Sequence, residues 1–375
     1  MSQIPDVLIV GGGVIGLTTA YFLAKDGVRV QVVERGALGS EASWAGAGII
    51  PPGNPEAAND GYDRLRAISS AMFPDLSKEI RDRTGVDNGY RLCGGIEFLD
   101  DEATVEAWQA ERVPFEKVDS SWFGQNEPKI QPCKSTAYYL PGMAQVRNPW
   151  HLRALIEACG HAGVVLSPGS PLDRLETNGN RVIGASLASG NTVHAGQYLV
   201  AAGAWSEALL EPFGIQTGIH PVRGQIVLLK TTAPLLRRIL FLGRDYLVPR
   251  EDGHLLIGST EEPEAGFLKQ TTAEAIAHLI AFGSSLVPDI HGAEVVKAWA
   301  GLRPGSRDGL PSLGRVGELN NLFLASGHFR AGIQLSPATA LVMCNLLRNN
   351  QPNINIEAFK PGRVPAPGFT PAFRS

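Results

Sequence analysis

Short apolar runs and one glycine cluster alternate at the start of the chain. Asp6–Val10 is apolar after its first residue, Leu17–Ala24 is largely apolar and free of proline, and Val28–Val33 is a second short apolar run that ends at Glu34. Runs of four to eight residues are typical of buried strands, whereas longer apolar segments without breakers favour helices. The pattern predicts a strand, a glycine turn, a helix and a second strand, as in a parallel α/β sheet.

The same patterns recur along the chain and predict further helices and strands. Apolar residues at three-to-four spacing predict helices at Asp63–Arg83, Pro149–Gly163 and Thr272–Phe282. Short apolar or alternating runs predict strands, which fall at Gly89–Leu99, Val164–Leu166, Arg181–Leu187, Thr192–Ala195, Tyr198–Ala202, Gly218–Lys230, Ile239–Gly243, Asp245–Arg250, His254–Gly258, Glu294–Gly301 and Leu322–Ala325.

Two glycine-rich segments lie near the end of the chain. Gly301–Gly305 predicts a turn that holds Arg303, because glycine and proline crowd around it. Gly327–Gln334 predicts a loop, followed by a helix with Ser336 as its N-cap and Pro337 in its first turn.

The predicted organisation is discontinuous, and the expected fold class is α/β (α+β overall). A Rossmann-like domain is interrupted by strand-rich insertions that form a second domain on an antiparallel sheet, and a ligand is expected between the two. The first domain is assigned residues 1–85, 144–215 and 299–351, the second 86–143 and 216–298, and the proline-rich remainder, 352–375, is expected to be loosely ordered.

Composition narrows the class of protein. The net charge of −4 and the absence of a basic stripe exclude a nucleic-acid-binding protein. Apolar runs stop short of membrane-spanning length and no signal peptide precedes the first strand, so a cytoplasmic protein is expected. The cysteines are scattered and form no metal-binding spacing, which indicates a reducing compartment and no metal site; they are Cys93, Cys133, Cys159 and Cys344.

The glycine cluster at the end of the first apolar run carries the strongest chemical signal. Gly11 permits a tight turn, Gly13 lets backbone approach a pyrophosphate, and Gly16 lets helix and strand pack closely. Glu34 follows Gly16 by eighteen residues, where a carboxylate accepts hydrogen bonds from ribose hydroxyls and disfavours a 2′-phosphate. The context predicts a dinucleotide site and makes NADP an unsuitable ligand.

Later motifs carry a family resemblance. The opening turn occurs together with GAWS at 203–206, DYLVPR at 245–250, AGLRPGSRDGLPSLG at 300–314 and GHFRAGIQLSPATA at 327–340. With these motifs the chain resembles the D-amino-acid oxidase superfamily of FAD-dependent oxidoreductases, and within it most closely the glycine oxidases of thiamine biosynthesis. The resemblance runs from Val7 to about Leu347.

The resemblance implies non-covalent FAD and a role for each matching residue. The ADP part would be held by Gly11, Gly13, Val14, Ile15, Gly16, Glu34 and Arg35, and the adenine would contact the backbone of Leu172. Gly203 would lie in a tight turn beside them. The pyrophosphate, the ribityl chain and the flavin would be lined by Ala42, Ser43, Ala47, Gly48 and Ile49. The pyrimidine end of the flavin would be surrounded by His328, Phe329, Arg330, Ala331, Gly332, Ile333 and Gln334. Arg303 would bind the substrate carboxylate, with Tyr246 and Arg330 beside it.

Arginine is also the residue that physical chemistry favours for such a task, because its planar fork matches a carboxylate bidentately. Each of these residues also has an alternative role. Arg303 could form a surface or structural ion pair, and Arg330 could bind a backbone carbonyl or Asp308. Tyr246 could be an ordinary residue of a sheet. His328 is expected to pack within its loop.

The activity that the resemblance implies is oxidative deamination of glycine, sarcosine or small D-amino acids to a 2-oxo acid, ammonia and hydrogen peroxide. Hydride would pass from substrate Cα to flavin N5 and dioxygen would reoxidise the flavin, with no residue required as acid or base. Partners would be a small amino acid, dioxygen and further copies of the chain in a homotetramer. The alternatives are a dehydrogenase that uses another electron carrier, an NAD-linked dehydrogenase and a non-catalytic flavoprotein.

Overall fold

Two large sheets dominate the structure, a computed structural model that describes residues 4–59, 61–134 and 136–364. The strands in these ranges are β1 (Val7–Val10), β2 (Val30–Val33), β3 (Ile49–Ile50), β4 (Arg91–Leu92), β5 (Gly95–Phe98), β6 (Glu116–Val118), β7 (Ala137–Leu140), β8 (Ala144–Gln145), β9 (Val165–Ser167), β10 (Leu172–Asn178), β11 (Arg181–Leu187), β12 (Thr192–Val193), β13 (Gln197–Val200), β14 (His220–Lys230), β15 (Ile239–Leu242), β16 (Asp245–Pro249), β17 (His254–Gly258), β18 (Glu294–Gly305), β19 (Ser312–Arg315) and β20 (Leu322–Ser326).

The α-helices in the same ranges lie between these strands. They are α1 (Val14–Lys25), α2 (Ala42–Ala45), α3 (Gly61–Thr84), α4 (Glu102–Ala110), α5 (Ser120–Asn126), α6 (Asn148–His161), α7 (Ser206–Leu210), α8 (Ala273–Leu286) and α9 (Gly332–Leu347). None of these helices is long and apolar enough to cross a bilayer.

The first sheet has six strands in the order β19-β20-β13-β1-β2-β9. All neighbours are parallel except β19, which pairs antiparallel with β20 at the edge. Val7 and Ile9 pack among helices α1, α3, α6 and α9, whereas Leu8 and Val10 pack against the small β10-β11-β12 sheet. Because alternate residues of a strand face opposite sides, both faces of β1 are apolar and buried.

The second sheet has eight strands in the order β18-β14-β17-β16-β15-β5-β7-β6. Its pairs are antiparallel apart from β15 with β5. One face packs against α8, while residues on the other face, including Ile226, Phe241 and Tyr246, point towards the first sheet. The α/β class with a second sheet of antiparallel strands is therefore confirmed, and the domain boundaries stay a prediction.

The turn predicted at Gly301–Gly305 is wrong. These residues continue strand β18, where Arg303 lies opposite Val222 and Pro304 opposite Pro221 of β14. Long-range pairing with β14 outweighs the local turn tendency of the glycines and proline, and it holds Arg303 on a sheet instead of a loop.

The predicted start of the last helix is also wrong. Helix α9 begins at Gly332, after a short 3-10 turn at Phe329–Ala331, and Pro337 lies inside it. Proline cannot donate to the carbonyl four residues earlier, and the hydroxyl of Ser336 donates to that carbonyl, of Ile333, at 2.9 Å. Ser336 therefore compensates for the proline within the helix and does not cap it.

Two other segments, strand β10 and the proline-rich tail, show structure that the sequence patterns did not predict. Strand β10 forms where no strand was predicted, and pairs with β11. Part of the proline-rich tail is packed: Ile354 and Phe359 are buried, and Arg363 donates to both carboxylate oxygens of Asp308 at 2.7 Å. Residues of the tail between 354 and 363 thus contact the folded chain, the loosely ordered tail stays a prediction, and 365–375 lie outside the described residues.

Candidate active site

A cavity of about 410 Å³ lies between the two large sheets. Its floor is formed where parallel strands of the first sheet end, at Val10, Val33 and Ala325, and its opposite wall includes Phe241 and Tyr246 of the second sheet. Ligands of open α/β sheets bind at the carboxyl ends of the strands, so this is the expected place for one.

The glycine turn brings backbone to the edge of this cavity. Gly11 has a φ of +117°, and a Cβ there would overlap the carbonyl of Ala201. A Cβ on Gly16 would overlap the carbonyl of Gly11, so α1 lies directly against β1. Gly13 precedes α1 without a side-chain cap, although the Val14 N–H donates to Ser43 Oγ at 3.0 Å. The start of α1 thus presents N–H groups and a positive dipole end to the cavity.

Glu34 is held in place at the end of β2. Its carboxylate accepts the Gly12 N–H at 2.8 Å and the Gly36 N–H at 3.0 Å, one on each oxygen. Each oxygen retains a lone pair for a further donor. Beside it, the guanidinium of Arg35 stacks on the ring of Trp205 at 3.6 Å.

The short helix α2 and the residues after it, 42–48, run along the cavity before β3 and are here called the tethered loop. Side chains from three distant elements bind alternate carbonyls of this loop, which fixes its path. The bonds run from Asn148 Nδ2 to Ser43 O (2.7 Å), from Trp299 Nε1 to Ala45 O (2.9 Å) and from Arg250 Nη2 to Ala47 O (2.8 Å).

Arg303 lies in the wall formed by the second sheet. It donates to the Thr260 carbonyl at 3.0 Å, to Ser259 Oγ at 2.7 Å and to Tyr246. Burial, followed by the charge of Arg330, lowers the pKa of Arg303 to about 10, so the guanidinium stays charged at neutral pH. Within the described ranges no carboxylate forms an ion pair with Arg303.

Arg330 reaches the same cavity but has an acidic partner. Its Nη1 lies 3.4 Å from the carboxylate of Glu261, and its Nη2 donates to the Arg244 carbonyl at 2.6 Å. The alternative partner Asp308 is instead bound by Arg363. Of the two carboxylate-binding candidates, Arg303 is therefore the one without a carboxylate of its own among the described residues.

The start of α9 completes the cavity. The helix is preceded by Ala331, which offers no side-chain cap, and Ile333 and Gln334 of its first turn line the cavity. His328 packs just before it: burial lowers its pKa to about 3, and its Nε2 lies 3.0 Å from Thr339 Oγ1. A neutral, hydrogen-bonded histidine fits the expected packing role.

The predicted site residues come together around this cavity, with one exception: Gly16 only packs α1 against β1. Sequence reasoning missed Ile226, Phe241 and Ser259, which the second sheet contributes. The alternating pattern of β14 and β15 was the available signal, but it does not show which face meets the cavity. Comparison of the chain with known proteins points to the cavity's ligand.

A family model described as FAD dependent oxidoreductase matches residues 6–346. This chain belongs to the family of FAD-dependent oxidoreductases. Within the family, glycine oxidase of Pseudomonas putida is 38% identical over 96% of this chain and 99% of its own, and that of Pseudomonas aeruginosa is 37% identical over the same shares. The crystal structure of glycine oxidase from Geobacillus kaustophilus superposes with a TM-score of 0.90 at 32% identity, covering 97% of this chain and 100% of that one. The resemblance drawn from the motifs is confirmed.

The cavity fits FAD, the cofactor of this family. The start of α1, where Gly13 brings no side chain, suits a pyrophosphate, and the free lone pairs of Glu34 suit ribose hydroxyls. The tethered loop exposes small side chains along which a flat ring can lie. The described residues contain no group of three or more His, Cys, Asp and Glu side chains that could hold a metal ion.

Proposed function

We propose that this FAD-dependent oxidoreductase is an amino-acid oxidase that converts glycine, dioxygen and water to glyoxylate, ammonia and hydrogen peroxide. Arg303 carries the proposal: its charged fork lies in the cavity wall with no carboxylate partner in the described ranges. A buried, unneutralised guanidinium is costly unless a ligand supplies the opposite charge. Similarity to glycine oxidases over nearly the whole chain supports the same substrate class.

The residues of the chain mainly orient the substrate. Arg303 binds the carboxylate bidentately, while Tyr246 and Arg330 lie beside it and limit its rotation. When bound in this cavity, FAD would supply the redox chemistry, as the acceptor for the hydride of the substrate Cα and the donor of electrons to dioxygen. No protein acid or base is assigned, because His328, the one histidine among the described residues of the cavity lining, is neutral and already hydrogen-bonded.

The substrate amine must be neutral when hydride leaves, since its lone pair forms the new C=N bond. We therefore expect kcat/KM to rise with pH towards the pKa of the amine.

Attachment, location and assembly belong to the same proposal. FAD is bound without a covalent link, which is supported by the absence of cysteine from the described cavity lining. The four cysteines are all free thiols, in keeping with a reducing cytoplasm. A homotetramer remains part of the proposal by resemblance.

The proposal predicts that purified protein consumes glycine and oxygen and forms glyoxylate, ammonia and hydrogen peroxide in equal amounts. Arg303→Lys, which keeps the charge but loses the fork, should raise KM about 10- to 100-fold, because a charge-assisted bidentate contact is lost. Product assays and steady-state kinetics with glycine, sarcosine and D-alanine provide the measurement. No peroxide from any of these substrates would contradict the oxidase, and an unchanged KM would contradict the role of Arg303.

A further inference from the structure

The two cavity arginines differ in what offsets their charge. Arg303 forms hydrogen bonds with a hydroxyl, a carbonyl and Tyr246, and the charge of Glu261 acts on it without forming an ion pair. The guanidinium of Arg330 is 6% exposed and lies 3.4 Å from the carboxylate of Glu261. Among the described residues, the two arginines therefore differ in direct contact: Arg330 has a carboxylate within ion-pair distance, and Arg303 has none.

Glu261 lies outside the cavity lining, behind Arg330. One of its oxygens faces Arg330 and the other binds Arg244 Nη1 at 3.0 Å. Because both oxygens are occupied by arginines, Glu261 is poorly placed to hold a substrate ammonium directly. Its direct contact on the cavity side is with Arg330, and its charge also acts on Arg303 over a longer distance.

Two further charges lie near Arg330. Asp245 interacts electrostatically with Arg330, and its carboxylate lies 3.7 Å from His278. Arg244 is largely exposed, with 72% of its side chain accessible, so solvent screens its charge. Glu261 therefore offsets Arg330 by direct contact, whereas Arg303 has no ion-paired carboxylate among the described residues.

We propose that Glu261 restricts the site to amino acids that carry a single carboxylate, by offsetting Arg330. This inference rests on the proposed function, in which Arg303 takes the first carboxylate. A second carboxylate would lose its water shell beside Arg330 and compete with Glu261 for the same guanidinium, which makes binding of dicarboxylates unfavourable. Glycine, sarcosine and D-alanine meet the requirement, whereas D-aspartate and iminodiacetate do not.

Acetate and malonate test the proposal without turnover. Both are titrated into the FAD-loaded protein, at a pH where malonate carries two charges, and their dissociation constants are measured from changes in the flavin absorbance spectrum. In Glu261→Gln, malonate should gain about tenfold in affinity relative to acetate, because Arg330 is no longer offset by Glu261.

Two further variants separate this effect from a general change in charge. Glu264→Gln removes the same charge from an exposed position three residues along and should leave the malonate-to-acetate ratio within about twofold of the unaltered protein. Arg244→Gln removes the other arginine that binds Glu261, so Glu261 offsets Arg330 more fully. This variant should lower the affinity for malonate relative to acetate. The flavin content of each variant reports whether the fold is intact.

An unchanged ratio in Glu261→Gln, an equal rise in Glu264→Gln or a rise in Arg244→Gln would overturn the proposal. Failure of the proposed function would look different: neither acetate nor malonate would compete with glycine, and glycine would form no glyoxylate. As a second readout, kcat/KM for D-aspartate relative to D-alanine should rise in Glu261→Gln alone.

Discussion

Glycines make room for the side chains that shape the substrate end of the cavity. Gly224 of β14 lies against the guanidinium of Arg303, and a Cβ there would overlap that group. A Cβ on Gly258 of β17 would lie 2.6 Å from the hydroxyl of Tyr246. The positions of Arg303 and Tyr246 therefore depend on the absence of side chains on the neighbouring strands.

Gly224→Ala should displace the guanidinium of Arg303 and raise KM for glycine about tenfold, because the new methyl group forces the side chain to move. FAD content should stay unchanged, since the substitution contacts the substrate side of the site. Gly124→Ala, in α5 with open space around it, is the matched control. Equal KM values for the unaltered protein and Gly224→Ala would show that Arg303 has no such constraint.

Residue types were easier to predict than residue partners. Glu34 is identified by its distance from the glycine turn, because strand, turn and helix are contiguous in sequence. The partners of Arg330 could not be predicted, because Glu261 and Arg244 belong to segments that approach it only in the folded chain. The alternatives left open for Arg330 were therefore decided by tertiary structure.

At the scale of elements, the tethered loop shows how distant segments fix the cofactor side of the cavity. Its three donors come from α6, from β18 and from Arg250, which follows β16. Arg250 is buried and also donates to Gln145 and to the Val146 carbonyl, so it joins the tethered loop to β8. These bonds hold the loop in one conformation before a ligand binds, which lowers the entropic cost of binding.

Trp299→Phe removes one of these tethers while keeping an aromatic ring. We expect FAD affinity to fall about fivefold, because one buried hydrogen bond contributes about 1 kcal/mol. The dissociation constant of FAD can be measured by fluorescence quenching on reconstitution. Trp150→Phe changes an exposed tryptophan that makes no bond to the loop and serves as the control. If both variants bind FAD as tightly as the unaltered protein, the tether does not contribute.

Helices and strands with strong local signals were predicted well, and the errors have physical causes. The β16–β17 hairpin matches its alternating pattern, because the pairing partners are adjacent in sequence. Gly301–Gly305 was assigned to a turn because its partner strand lies some eighty residues earlier. Local propensity contains no information about such a pairing.

At the scale of the whole molecule, stability should depend on two buried histidines, His151 and His328. His151 of α6 is fully buried, and burial lowers its pKa to about 4. Its Nδ1 lies 3.1 Å from Asn88 Nδ2, while Nε2 has no partner within the described residues. His328 has a lowered pKa for the same reason. Both rings must therefore be neutral in the folded state.

The folded pKa of His151 lies below the value of about 6.5 expected in the unfolded chain, so the unfolded state binds more protons between those values. Stability should be fully present above about pH 6.5 and fall as the pH is lowered towards 4. Thermal unfolding followed by circular dichroism at several pH values provides the measurement.

His151→Gln should reduce this loss, whereas His291→Gln, at an exposed position, should not. The same pH dependence in the unaltered protein and His151→Gln would show that this histidine is not responsible.

The central claim is that glycine reduces FAD held between the two sheets and that oxygen reverses the reduction. The most direct measurement is the visible spectrum of the FAD-loaded protein, recorded without oxygen before and after addition of glycine. We predict that the flavin bands bleach with glycine and return when air is admitted. Bleaching without rapid return would contradict an oxidase and indicate another electron acceptor, and bands that no small amino acid bleaches would contradict the catalytic role altogether.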